Sequence, residues 1–113
     1  METIVVPHGK KIKVTVPAEE ETTLVINGAS ISVEKEIPAK GRVVLYMSSI
    51  ENGKPGSEIA IAPFTIGKTE TCKLDFLFQS GNQFILSTKG DNIDVVVHTY
   101  IMNFEKLEIE TLD

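Results

Sequence analysis

Between Cys72 and Gln79 apolar and polar residues alternate. Cys72, Leu74, Phe76 and Phe78 fall on one side, Lys73, Asp75 and Gln79 on the other, and Leu77 is the one interruption. Successive side chains of an extended chain point to opposite faces, so this period of two predicts a half-buried β-strand. Two more strand-like runs follow, residues 83–89 and 93–101, separated by Ser80-Gly81-Asn82 and Gly90-Asp91-Asn92. Those short connections carry residue types that tolerate the positive φ of tight turns. Residues 70–101 therefore read as a β-meander.

The rest of the chain continues in the same manner. A short run at residues 4–6 ends at Pro7, and Ile12, Val14 and Val16 then alternate with Lys11, Lys13 and Thr15. Residues 22–33 form a third strand with Gly28 in its middle, where a bulge or close backbone approach is expected. A charged loop at 34–41 precedes a fourth strand at 42–47. Asn52-Gly53 and Pro55-Gly56 then mark a hairpin-like segment, and a fifth strand at 58–64 contains Pro63, which suggests an edge or a strand end. About eight short strands with turn signals between them predict an all-β sandwich or barrel. No stretch sustains a helical period.

Composition narrows the class. The 113 residues suffice for one domain, and 42% hydrophobic with 24% charged residues is ordinary for a soluble globular chain. The single cysteine, Cys72, falls on the apolar side of its strand and has no internal partner, which favours a structural thiol and a reducing compartment. No signal peptide follows Met1, and no apolar run approaches the length of a membrane helix. A net charge of −5 argues against direct grip on nucleic-acid phosphates and favours a basic partner.

Candidate chemistry is sparse. His98 lies among Val95, Val96, Val97 and Tyr100, and its only fellow histidine, His8, is far away in sequence; a structural, hydrogen-bonded histidine is the favoured reading. Asp75 and Asp94 read as surface charges, and Lys10, Lys11 and Lys13 as a solvated cluster. No Gly-rich stretch leads from a strand into a helix, as a phosphate loop requires. No enzymatic activity, cofactor or metal is expected.

Two features point instead to association. Residues 92–102 are apolar on both sides, with Ile93, Val95, Val97 and Ile101 opposite Val96, Tyr100 and Met102. Residues 42–47 set Val43, Leu45 and Met47 opposite Val44 and Tyr46. A two-layer sandwich has nothing of its own to cover a second apolar face, so self-association is expected. The candidate interface residues are Val44, Tyr46, Val96, His98, Tyr100 and Met102. The candidate acidic residues for a basic partner are the run Glu19, Glu20 and Glu21, with Glu105, Glu108, Glu110 and Asp113 near the end. The chain divides into a core at 1–102 and an acidic arm at 103–113, an exit strand or the start of a longer tail.

The order of elements over residues 4–102 resembles the nucleoplasmin-like core domain of nucleoplasmin, nucleophosmin and some nucleolar FKBP-type prolyl isomerases. The resemblance rests on the lysine-bearing strand at 9–16, the strand Thr-Leu-Val-Ile-Asn-Gly-Ala-Ser-Ile-Ser at 23–32, the strand at 40–47, the long hairpin at 51–64, and the ending at 71–101 with Lys89-Gly90 at a turn and His98-Thr99-Tyr100 near its close. The chain departs from the family in lacking an aromatic residue near its start, a strongly acidic loop at 34–40 and a long acidic tail.

The resemblance implies an eight-stranded jelly-roll sandwich that assembles as a ring-shaped homopentamer, with stacking into a decamer as an extended form. It further implies a non-enzymatic histone chaperone or nucleolar assembly scaffold in the nucleus or nucleolus. In such a ring, acidic loops and tails meet histones or other basic proteins. Two alternatives are an oligomerisation module of a larger nucleolar protein and a jelly-roll ligand-binding or capsid-like domain.

Overall fold

Two antiparallel sheets face each other across one apolar core. The computed structural model describes residues 2–18, 21–34, 37–103 and 107–112. Among them are ten strands: β1 (Glu2–Val6), β2 (Lys11–Thr15), β3 (Thr23–Ile31), β4 (Arg42–Glu51), β5 (Lys54–Pro55), β6 (Ile59–Thr65), β7 (Thr71–Gln79), β8 (Gln83–Gly90), β9 (Val95–Met102) and β10 (Glu108–Leu112). The four-stranded sheet runs β1-β9-β3-β7. The other runs β10-β2-β8-β4-β5, with β6 also paired to β4. The two strands beyond the expected eight are the two-residue return β5 and the terminal β10.

The inner faces follow the alternation. Ile12 and Val14 of β2, Val43 and Leu45 of β4 and Phe84 and Leu86 of β8 meet Ile4, Leu24, Ile26, Val95 and Val97 from the opposite sheet, all buried. In β3 the inward positions change parity, from Leu24 and Ile26 to Ala29 and Ile31. A bulge between Ile26 and Gly28, present in the pairings with both β7 and β9, makes that change possible. The expectation at Gly28 is thereby met. Asn52 and Gly53, with φ of 52° and 77°, close the β4–β5 hairpin in the geometry that favours Asn-Gly. Pro63 lies on β6, where pairing is to β4 alone, and its missing N–H is tolerated there.

The meander is overturned. β7, β8 and β9 do not pair with one another; β7 and β9 belong to the four-stranded sheet and β8 to the other. Each short connection is a corner that crosses between sheets, captured by a third strand. The Gly81 N–H donates to the Val16 carbonyl (3.0 Å), and the Val16 N–H donates to the Asn82 carbonyl (2.9 Å), which ties the first corner to the end of β2. At the second, the Asp91 N–H donates to the Arg42 carbonyl and the Asp91 carboxylate accepts from the Arg42 N–H, both at 2.8 Å. Turn chemistry and alternation are local, and neither specifies the sheet a strand joins.

The edge position of β7 leaves its inward side chains, Cys72, Leu74, Phe76 and Phe78, only half-buried against the core. Cys72 is a free thiol at that edge. Asp94 is more than a surface charge: its carboxylate accepts the His8 backbone N–H (2.8 Å), pinning the β1–β2 turn.

Candidate association surfaces and acidic segments

The outward face of the four-stranded sheet is built from cross-strand rows. One row reads Val5–Val96–Ser30–Thr71, the next Thr3–His98–Gly28–Lys73, and a third Tyr100–Val25–Leu77. Met102 lies beside Thr23 at the end of β9. Four of these side chains are large, apolar and open: Val5 (46% exposed), Leu77 (59%), Tyr100 (52%) and Met102 (41%). Isolated exposed apolar residues are unremarkable, but a row running across three strands forms a patch, and patches mark association surfaces.

Val96, His98, Tyr100 and Met102 all point outward on this face. Val44 and Tyr46 do not join them, because they lie on the outward side of β4 in the opposite sheet. There Val44 is flanked by Lys89 and Pro63, and Tyr46 by Ser87 and Ala60. The Lys89 ammonium sits 4.7 Å from the Tyr46 ring centroid and 3.4 Å from the Glu58 carboxylate, which also lies 3.9 Å from Lys11 Nζ. Tyr46 is thus half-buried beneath a charged cluster. The six candidate interface residues therefore form two patches on opposite sides of the sandwich.

Leu77, Val25 and Val5 complete the apolar face and were not among the sequence candidates. Leu77 had a signal, since its interruption of the β7 alternation is an apolar residue on the outward side. Between the open edges β6 and β7 lies an apolar groove of about 400 Å³, lined by Met47, Ile59, Phe76, Leu77 and Phe78 among others.

The acidic candidates divide differently. Glu19, Glu20, Glu105 and Asp113 lie outside the described residues. Glu21 is exposed with φ of 62°, and its carbonyl accepts the Asn103 side-chain amide at 2.8 Å. That bond joins Glu21 of the β2–β3 connection to Asn103, just after β9. Glu108 pairs with Thr15 on β2, near the same connection, and Glu110 pairs with Lys13. Both glutamates are exposed. Among the described residues no group of three or more His, Cys, Asp or Glu side chains is arranged to hold a metal ion.

A sequence profile of the nucleoplasmin-like domain matches residues 3–101. The chain belongs to the nucleoplasmin-like family. The solved structures include a similar fold in the Drosophila NLP-core, a protein described for pentamer formation and histone binding. That likeness has a TM-score of 0.68 at 14% identity and covers 90% of this chain and 97% of the Drosophila one. A comparison with curated protein sequences finds no match. The nucleoplasmin-like assignment fixes the jelly-roll sandwich as the family fold.

Proposed function

We propose that this domain forms a homo-oligomeric ring and acts, without catalysis, as a nuclear chaperone for histones or similarly basic proteins. The observation that carries the reading is the apolar row Tyr100–Val25–Leu77, with Met102 and Val5 beside it, on a face that nothing among the described residues covers. The second patch, around Val44 and Tyr46, lies on the other side of the sandwich. Two different patches on opposite sides are what a heterologous contact needs, and heterologous contacts related by a rotation close into rings. Family membership and the Drosophila protein's pentamer support five copies.

The exposed acids Glu21, Glu108 and Glu110, with the acidic run at 19–21 and the acidic segment at 105–113 in the sequence, supply the basic-partner reading. Each copy of a ring repeats them, and repetition multiplies both local potential and avidity. The partner's positive charge would be shielded there from non-productive contact with nucleic acid. Localisation in the nucleus follows from that partner.

Light scattering coupled to size exclusion tests the assembly, with a mass of five or ten protomers expected and a clean monomer overturning it. A salt titration of core-histone binding tests the partner. Affinity falling steeply with ionic strength is expected, and absent or salt-independent binding refutes the chaperone role.

A further inference from the structure

His98 occupies an unusual place on the outward face of the four-stranded sheet. Its ring lies beside Gly28 of β3: a Cβ added at Gly28 would stand 4.0 Å from His98 Cδ2, an ordinary contact, and 3.1 Å from the Cys72 carbonyl oxygen. The β3 bulge places Gly28 opposite His98 in the ladder. From the same strand, Ser30 Oγ lies 3.0 Å from His98 Nε2. Along β9 its outward neighbours are Val96 and Tyr100, and across β1 it meets Thr3. Among the described strand residues of this sheet, the charged groups on this side come from β7: Lys73, paired with Gly28, and Asp75. The imidazole is therefore a titratable group set between the apolar row Tyr100–Val25–Leu77 and the Val5–Val96 end of the next row.

The geometry points to His98 as a pH-sensitive element of self-association: the face accepts a second copy of this chain while the imidazole is neutral and rejects it once the ring is charged. The inference rests on the ring reading above, with another protomer as occupant. A neutral ring exchanges one hydrogen bond with Ser30 and presents an otherwise apolar edge, which can be covered at little cost. An imidazolium has two N–H donors and a full charge, and covering it without a carboxylate partner is penalised by desolvation.

Covering the face in the contact therefore favours the neutral ring. Association is expected to be strongest above the ordinary imidazole range and to weaken as the pH falls through it.

Mass measurements at about pH 7.5 and about pH 5.5, either side of the ordinary imidazole value, test this. They are made on the wild-type chain and on His98→Gln, with circular dichroism as a check that the strands persist. The expected result is an oligomer at the higher pH for both proteins and dissociation at the lower pH for the wild type alone. Equal dissociation of both, or a wild type that stays assembled at the lower pH, overturns the switch and leaves the ring reading intact. A wild type that is monomeric at both values overturns the ring reading and the switch with it.

Should His98→Gln fail to assemble at all, the ring protons of His98 are followed by NMR in a His8→Gln background. A midpoint lower in concentrated, assembled protein than in dilute protomer supports the switch. The same midpoint in both overturns it.

Discussion

The ring of Phe78 stacks on that of Phe84, with centroids 4.1 Å apart and planes inclined by 16°. Phe78 is on β7, at the edge of the four-stranded sheet, and Phe84 is fully buried on β8 in the opposite sheet, across the Ser80–Asn82 corner. The pair clamps the corner from inside. Phe84→Ala is expected to cost about 3–5 kcal/mol, the usual range for a buried phenylalanine. Phe78→Ala should cost less, because its ring is half-exposed. A double-mutant cycle by urea unfolding should return a coupling of about 0.5–1.5 kcal/mol; strict additivity would show that the corner is held by its backbone hydrogen bonds alone.

Gly90 closes the other corner with φ of 134°, and a Cβ there would collide with the Arg42 carbonyl oxygen and come within 2.9 Å of the Val43 Cα. The obstruction is backbone on an adjacent strand, so no side-chain rotation relieves it. Gly90→Ala is expected to destabilise the fold by more than about 1 kcal/mol. Gly53→Ala is the useful comparison, since its φ is also positive but its added Cβ meets nothing within 4 Å. The measurement is the difference in urea midpoint between the two, with Gly90→Ala the lower.

Much of this architecture was legible because it depends on neighbours in sequence. The inward sets of β2, β4, β8 and β9 follow the period of two, and the β3 bulge is announced by Gly28 between two apolar stretches of opposite parity. The outward orientation of Val96, His98, Tyr100 and Met102 was legible for the same reason. What escaped is set by residues distant in the chain. Whether residues 80–82 form a hairpin or a corner is decided by Val16, and the fate of residues 90–92 by Arg42. Tyr46 was grouped with Tyr100 because both strands are apolar on two sides. Strand assignment to opposite sheets separates them, and Lys89 and Glu58 cover one but not the other.

Tyr100 and Leu77 flank Val25 in one row, so a charge at either disturbs the same face without touching the core. Tyr100→Glu and Leu77→Glu should each leave the thermal unfolding temperature of the protomer within a few degrees and shift the solution mass toward the monomer. Val33→Glu serves as the control, since Val33 is 73% exposed and lies beyond the end of β3. Loss of assembly in the control as well would mean that added negative charge, not the site, is responsible. Retention of assembly in both row variants would place the contact elsewhere.

Glu110 faces Lys13 across the β10–β2 ladder, and β10 has little else to hold it. Leu107, just before the strand, is buried, but Ile109 remains 48% exposed although its ladder partner Val14 is fully buried. The strand thus overhangs the core, and its five residues cap an edge that would otherwise be open. Directly opposed opposite charges contribute about 0.2–1 kcal/mol to a strand pair, and like charges oppose it. Lys13→Glu should therefore loosen β10, raising amide exchange at residues 108–112 while the β8 amides of the central ladder stay protected. Glu110→Lys alone should loosen the strand in the same way, and the Lys13→Glu/Glu110→Lys double exchange should restore its protection. Failure of the double exchange to restore it would mean that Leu107 and the backbone ladder, not the charge pair, keep the terminal strand in place.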